Sequence, residues 1–160
     1  MLTLAELTSR NTQPGRVAWI GLRPSKRAPM EEVLAAEVTS AGLTGDRGRA
    51  GKRAVTLIQA EHLPVIASFL GRKVVDPRDL RRNIVISGIN LAGAKGRLLH
   101  VGTAVLRLSV ICAPCSRMEE TFGYGGYSAV RSHGGWCAEV VLPGQIALGD
   151  RVDIAGQDRA

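Results

Sequence analysis

The segment Cys112-Ala-Pro-Cys115-Ser-Arg117 contains the residues best suited to chemistry in this 160-residue chain. The thiolate form of cysteine is the nucleophile and the metal ligand, and both a following helix and a nearby arginine favour that form. The sequence offers both to Cys115, because a helix is predicted to open within 113–121 and Arg117 is close along the chain. Cys112 ends a predicted strand, so we expect it to pack as a small apolar residue.

Two other interpretations of these cysteines stay open. The pattern Cys112-x-x-Cys115, with proline before the second cysteine, suggests a thioredoxin-like dithiol, although no N-terminal strand–helix–strand unit accompanies it. A zinc site is suggested by the same pair followed by His133-x-x-x-Cys137, which gives four ligands of suitable type and spacing. Against zinc, Cys137 begins a strand pattern and could alternate into the core, and Gly134-Gly135 suggests a close approach of the backbone to a ligand.

The predicted elements around this segment are mostly short strands. Glycine recurs along the chain, 19 times in all, which is typical of many short elements joined by tight turns. Helices are predicted over 59–70 and as a single turn over 77–81 capped by Asp76, whereas 30–40 has mixed helix and strand preferences. Apolar or β-branched runs predict strands over 17–22, 54–58, 83–86, 97–101, 105–111, 137–142 and 151–154.

The pattern of elements indicates the fold class. Strands outnumber helices and do not alternate regularly with them, which predicts a mainly β protein, a closed or nearly closed β-rich barrel with a few short helices. The length predicts a single domain over 1–160, with its core at about 17–154. Neither Gly-x-Gly-x-x-Gly after a strand nor a Walker-type loop occurs, so nucleotide-binding folds receive no support.

Composition and charge narrow the classes of function. Arginine and lysine total 21 against 14 acidic residues, and lysine occurs only at 26, 52, 73 and 95, which favours capture of phosphate or carboxylate by guanidinium groups. Aromatic residues make up only 4%, which argues against base stacking and hence against a specific nucleic-acid partner. The N-terminus lacks a signal-peptide pattern and no apolar run reaches the length of a membrane span, so we expect a cytoplasmic protein without membrane contact.

Several short blocks of sequence share an order that is typical of one protein family. They are Gly42-Leu-Thr-Gly-Asp-Arg47, Arg53-Ala-Val-Thr-Leu-Ile-Gln59, Asp79-Leu-Arg-Arg-Asn-Ile-Val85 with Ser87-Gly88, Val101-Gly102, Pro114-Cys115, Gly125-Gly126-Tyr127, His133-Gly134-Gly135 and Gly149-Asp150. Together these blocks, which span roughly 17–154 and place one cysteine after a proline at the corresponding position, resemble the MOSC family, and in particular its small stand-alone members. The family is named after the C-terminal domain of molybdenum cofactor sulfurase.

The resemblance implies a β-rich barrel that binds the molybdenum cofactor, a pterin that carries a dithiolene-bound metal and a phosphate. It implies that Cys115 is both metal ligand and catalytic residue in the reduction of N-hydroxylated small molecules, with electrons from a donor protein. His133 is expected as a second catalytic residue, and pyridoxal phosphate, which the sulfurase holds in another domain, is not expected. The residues expected to bind the cofactor are Arg47, Arg53, Arg82, Asn83, Arg117, Arg131 and Gly134.

Each implied role has an alternative. Cys115 could carry a persulfide sulfur, or the protein could deliver the cofactor without turnover of its own. The chain could also be a zinc-stabilised binding module with a basic surface. Asp46 and Arg47 could form an ion pair that only stabilises a turn. Gly48 stands where the family pattern has histidine or a similar polar residue, which weighs against a catalytic role for that loop.

Overall fold

The computed structural model describes residues 1–156, which form eleven strands, five α-helices and one 3-10 turn. The strands are Gly15–Leu22 (β1), Glu31–Glu32 (β2), Ala35–Thr39 (β3), Gly42–Leu43 (β4), Val55–Gln59 (β5), Ile84–Ser87 (β6), Leu98–Val101 (β7), Ala104–Ile111 (β8), Trp136–Leu142 (β9), Gly144–Ala147 (β10) and Arg151–Ile154 (β11). The helices are Leu4–Ser9 (α1), His62–Phe69 (α2), Pro77–Leu80 (α3), Ser116–Phe122 (α4) and Gly126–Val130 (α5), and the 3-10 turn is Leu91–Ala94.

Seven of these strands close into a barrel. Their order is β11-β7-β8-β9-β5-β6-β1, and β1 pairs with β11 to complete the ring. Every pairing in the ring is antiparallel except that of β5 with β6, which are parallel and therefore need the crossover through α2 and α3. A separate small sheet joins β10, β3 and β4. The predicted barrel with a few short helices is confirmed.

Two hydrophobic clusters hold the helices against the barrel. Alternate residues of a strand point to opposite faces, and in β5 Leu57 belongs to the cluster inside the barrel whereas Ile58 belongs to the cluster beneath the helices. In β6 Ile84 and Val85 divide in the same way. Both strands are therefore covered on both faces, which explains their uninterrupted apolar sequence. The second cluster also contains Met118 of α4, so the helix that follows Cys115 is anchored to the barrel wall.

Segment 30–40, whose preferences were mixed, forms strands β2 and β3. Pairing decides the outcome, because β3 lies between β10 and β4 and its backbone hydrogen-bonds to both. The predicted helical turn is confirmed as α3, with the Asp76 carboxylate accepting from the backbone N–H of Arg78 at 2.9 Å. The helix predicted to open within 113–121 begins at Ser116, after Pro114. No helix within residues 1–156 is long and apolar enough to cross a membrane.

Candidate functional site

Cys115 lies in the connection between strand β8 and helix α4. It is the residue immediately before the helix, with extended backbone angles, and its carbonyl accepts from the N–H of Met118 at 2.9 Å. Its side chain is exposed, whereas Met118 and Phe122 bury α4 against the barrel. The fold thus holds an accessible thiol on a rigid junction between the barrel and the helical layer.

The Cys115 side chain opens into a cavity of about 330 Å³ with an unusual charge balance. Seven of its lining residues are cationic and only one, Glu120, is acidic. We call it the cationic cavity; its lining residues are Arg23, Lys26, Arg27, Arg47, Leu80, Arg81, Arg82, Cys115, Ser116, Arg117, Met118 and Glu120. A more open hollow of about 580 Å³ shares Arg23 and Arg47 with it and continues the basic surface; it adds Gly48, Arg49, Ala50, Lys52 and Arg53.

A buried carboxylate organises one wall of the cationic cavity. The Asp46 side chain is fully buried, and its two oxygens accept from the backbone N–H and the Nε and Nη2 of Arg23, at 2.7, 3.1 and 2.9 Å. Burial alone raises the pKa of Asp46, but the hydrogen bonds and charge of Arg23, with the N–H of Gly48, outweigh it and leave that pKa below its ordinary value. Asp46 therefore pairs with Arg23, and the alternative in which Asp46 and Arg47 form an ion pair is not found among the described residues.

Asn83 completes this network from inside the protein. It is fully buried; its Nδ2 donates to the Gly21 carbonyl and to Asp46 at 3.1 and 3.0 Å, and its Oδ1 accepts from the N–H and hydroxyl of Thr56 at 3.0 and 3.1 Å. Protein groups thus use both the donors and the acceptor of this amide. The sequence predicted a cofactor contact for Asn83, whereas the structure gives it the task of positioning Asp46 and, through Asp46, Arg23.

The opposite wall is a loop held by two arginines. Arg81 donates to the carbonyls of Ser25 and Ala28, and Arg117 Nη1 donates to the carbonyl of Lys26 at 2.6 Å. Arg81 adopts left-handed backbone angles (φ 56°), a conformation that is uncommon for a residue with a side chain. Burial, followed by the charges of Arg117, Arg23 and Arg47, lowers the pKa of Arg81, so the positive charges of this cavity are crowded together.

Arg82 separates the cationic cavity from a second one. It is 7% exposed, and its guanidinium donates to the carbonyls of Gly134, Leu80 and Cys112 at 2.7, 2.7 and 3.3 Å. Carbonyls therefore use three of the five N–H donors of the guanidinium, and Arg82 fixes the segment 112–115 to the loop before β9. Gly134 serves the same contact, since a Cβ there would lie 2.9 Å from the Cys112 carbonyl oxygen and 3.2 Å from Arg82 Nη2.

The second cavity has about 450 Å³ and is mostly apolar. It shares no lining residue with the cationic cavity, although it adjoins the same segment of chain. We call it the apolar cavity; its lining residues are Gln59, His62, Ala92, Ile111, Cys112, Ala113, Pro114, Tyr127, Arg131, Ser132, Gly134, Gly135 and Trp136. The predicted cofactor ligands are thus divided: Arg47 and Arg117 adjoin Cys115, Arg53 lies in the neighbouring hollow, and Arg131 and Gly134 line the apolar cavity.

His133 packs against two other rings beside helix α2. Its ring meets that of His62 edge-on, with the centroids 5.5 Å apart, and packs against Phe69 at 5.7 Å. His133 is not among the residues that line either cavity, whereas its neighbour His62 lines the apolar one. The structure therefore shows no place for His133 in the lining of either cavity, and its catalytic role stays a prediction.

The zinc and dithiol interpretations fail on the arrangement of the cysteines. Cys137 is buried in β9 and forms a hydrogen-bonded pair with Cys112. This pairing lowers the pKa of Cys112 and raises the pKa of Cys137. Burial opposes the lowering at Cys112, whereas the charge of Arg82 adds to it. Among residues 1–156 no group of three or more His, Cys, Asp or Glu side chains is placed to hold a metal ion. The two cysteines of the Cys112-x-x-Cys115 pattern open into different cavities and lie in a barrel rather than beside a strand–helix–strand unit.

Comparison with known proteins agrees with this geometry. The family model described as the MOSC domain matches residues 35–153. The chain belongs to the MOSC domain family. That family is associated with binding of the molybdenum cofactor. The matched range contains Asp46, Cys115 and every lining residue of the apolar cavity of this MOSC domain. No curated protein matches the chain significantly.

Solved structures support the MOSC fold. The YUAD protein from Bacillus subtilis superposes with a TM-score of 0.75 at 16% identity, covering 88% of this chain and 94% of that one. YiiM from Geobacillus stearothermophilus gives a TM-score of 0.74 at 18% identity, covering 89% and 75%. YiiM from Escherichia coli gives 0.69 at 20% identity, covering 91% and 72%. At these identities the likeness concerns the fold.

Proposed function

We propose that this MOSC domain binds the molybdenum cofactor in the cationic cavity, with Cys115 as a ligand of the metal, and reduces N-hydroxylated small molecules there. The observation that carries the proposal is an exposed thiol inside a cavity lined by seven cationic residues and one acid. Thiolate sulfur suits a soft-to-borderline metal, and guanidinium groups suit a phosphate. The residues present therefore fit both ends of such a cofactor.

The charge of the cavity supplies a physical reason for an anion to bind. Burial lowers the pKa of Arg81, and the charges of Arg117, Arg23 and Arg47 lower it further. Of these four arginines only Arg23 forms an ion pair with a described residue, Asp46. A bound phosphate would relieve this repulsion. Arg47 is the best placed to bind it, because its side chain is exposed and lines both the cationic cavity and the hollow beside it. Arg53, in that hollow, extends the same attraction.

The reaction requires two electrons and two protons: an N–OH group becomes N–H and the oxygen leaves as water. The metal centre, when bound, supplies the redox change. The chain's own residues hold the cofactor and orient the substrate, and Arg117 and Lys26 line the cavity around Cys115 as donors toward the substrate oxygen. In this proposal a donor protein supplies the electrons.

The experiment that tests cofactor binding is metal analysis of protein purified from a host that makes the cofactor and from a host that does not. We expect molybdenum close to stoichiometric in the first preparation and none in the second. Absence of molybdenum from both preparations would contradict the proposal. Loaded protein should then oxidise a reduced dye when an N-hydroxylated amine is added, and Cys115→Ala should abolish this dye oxidation.

The exposure of Cys115 also favours a second candidate, a carrier of sulfur. In that role the Cys115 thiolate attacks the outer sulfur of a donor persulfide, a new sulfur–sulfur bond forms at Cys115, and the donor leaves as a thiol. The two functions make different predictions. A carrier accumulates persulfide on Cys115, detectable by mass spectrometry after incubation with a small persulfide, and does not consume an N-hydroxylated amine.

A further inference from the structure

We propose that the apolar cavity is a second small-molecule site, which binds a flat aromatic ring that bears a carbonyl group. The cavity lies on the other side of the segment 112–115 from Cys115, has its own lining residues and has a volume of about 450 Å³. Sites for small organic ligands fall in this range of volume and combine apolar walls with a few placed polar groups. The proposal does not depend on the cofactor, so it is tested on protein without it.

The polar group that points to a ligand is the side-chain amide of Gln59. Gln59 ends strand β5 and is 6% exposed, and its Oε1 accepts from the backbone N–H of Leu91 at 2.9 Å. This bond identifies the oxygen and the nitrogen of the amide, because only the oxygen can accept from an N–H. Within residues 1–156, the Nε2 group donates to no protein atom. A buried N–H without an acceptor is costly, and native proteins usually explain it by a ligand or an ordered water.

Asn83 shows how the same fold treats a buried amide that is purely structural. Asn83 lies in the neighbouring strand region and is also buried, yet both hydrogens of its Nδ2 have acceptors, the Gly21 carbonyl and Asp46. Gln59 differs because it lines a cavity, and its unused donors require an acceptor such as a carbonyl oxygen.

The remaining walls define the shape and charge of the ligand. Ile111, Pro114, Tyr127 and Trp136 provide apolar and aromatic surface, which favours a flat ring. Burial, and then the charge of His133, lowers the pKa of His62, so this lining residue is neutral at neutral pH. The exposed Arg131 is then the only cationic side chain among the lining residues, and the cavity is unsuited to a polyanion.

A strained backbone marks the same cavity. Ser132 has a φ of 72°, and within the described residues the only other non-glycine residue with positive φ is Arg81, which lines the cationic cavity. Such conformations cost free energy and concentrate at ligand sites. Each cavity therefore contains one strained non-glycine residue, an observation that is independent of Gln59.

The test uses acetophenone, which combines a flat ring with a carbonyl and has no N–H of its own, and cofactor-free protein labelled with ¹⁵N. We expect saturable shifts in the amide resonances of 132–136 and of the Gln59 side chain at millimolar acetophenone. Gln59→Glu retains an acceptor for Leu91 but replaces the donor by an oxygen, so acetophenone affinity should fall about tenfold. Toluene, which lacks the carbonyl, should bind that variant and the wild type equally. Gln145→Glu, at an exposed position of strand β10, is the charge-matched control and should bind acetophenone normally.

A second variant keeps the test decisive if Gln59→Glu does not fold. Ala113→Phe places a ring in the mouth of the cavity from an exposed position, so it should block acetophenone without disturbing the core. Gln59 and His62 also border a shallower hollow beside Gln13 and Asn90. The proposal is overturned if no saturable shift occurs, if the shifts cluster at 13 and 88–90, or if Ala113→Phe leaves binding unchanged.

Discussion

The cationic cavity and the apolar cavity lie on either side of one short segment, 112–115, yet they offer opposite chemistry. The cavity on the Cys115 side is lined by seven cationic residues. The cavity on the Cys112 side is lined by aromatic and aliphatic groups with Arg131 as its one cation. Arg82 holds the segment in place by donating to carbonyls on both sides. Two cysteines only three positions apart, Cys112 and Cys115, thus lie in entirely different surroundings on either side of one buried arginine.

Around the two cavities lie two kinds of polar side chain: those whose hydrogen bonds are made within the protein, and those whose donors are left available to a ligand. Asp46 and Asn83 have every polar side-chain atom satisfied by protein partners. The side chains of Arg47 and Arg131, and the Nε2 of Gln59, make no hydrogen bond to the described residues. We therefore expect substitutions in the first group to lower stability and those in the second to lower binding.

The largest effect is expected from Asp46→Asn. Removal of one partner of a buried ion pair leaves Arg23 uncompensated, and we expect the free energy of unfolding to fall by about 3 kcal/mol. The midpoint of thermal unfolding should fall by roughly 10 °C for a chain of this size. Asp76→Asn is the matched control, since asparagine caps a helix as well as aspartate and that site is exposed. Equal midpoints for the two variants would show that Asp46 does not organise the cationic cavity.

A smaller effect, on binding alone, is expected from Arg47→Ala. The affinity for pyrophosphate, measured by calorimetry at low salt, should fall about tenfold, because a charged hydrogen-bonding partner of the anion is lost. Arg131→Ala removes the same charge from the apolar cavity and should leave pyrophosphate affinity unchanged. If both variants lose affinity to the same extent, net charge rather than the cationic cavity governs anion binding.

The smallest effect concerns pH. The pKa of His62 is lower in the folded protein, so the unfolded chain binds a proton there more readily. The contribution of His62 to stability is thus fully present above about pH 6.5 and declines as the pH falls below that value. In the wild type the thermal unfolding midpoint should fall as the pH goes from neutral to mildly acidic, and this fall should be smaller in His62→Gln. The control His100→Gln, at an exposed position of strand β7, should show the same fall as the wild type. An unchanged slope in His62→Gln would contradict burial of a neutral His62 beside the apolar cavity.

Sequence patterns located the elements that carry strong periodicity or apolar runs. The runs around Val17, Leu57 and Leu106 are central barrel strands, and their predicted positions agree with the structure to within two residues. Strand β10 and helix α5 were missed, because Gly144–Ala147 and Gly126–Val130 are short and carry glycine where a longer element would carry an apolar pattern. Their structure depends on pairing with β3 and on packing against α4.

Site residues were predicted where the residues around them are close in sequence, and were missed where distant segments meet. Cys115 was predicted because the residues that indicate it, Pro114 and Arg117, are close to it along the chain, and Arg117 lines the same cavity. Arg23, Lys26 and Arg81 were missed as cavity residues, since they come from distant segments that meet only when Arg81 binds the loop carbonyls. For Gln59 the only available signal was a polar residue at the end of an otherwise apolar strand, and the orphaned donor becomes visible only in three dimensions.

The measurement that tests the central claim most directly is the molybdenum content of Cys115→Ser and Cys112→Ser, both expressed in a host that makes the cofactor. The two variants make the same atomic change three positions apart, on opposite sides of Arg82. Our account predicts that Cys115→Ser loses most of its molybdenum, whereas Cys112→Ser retains close to the wild-type content. Equal retention of molybdenum by both variants, or its loss only from Cys112→Ser, would contradict the assignment of Cys115 and the cationic cavity to the cofactor.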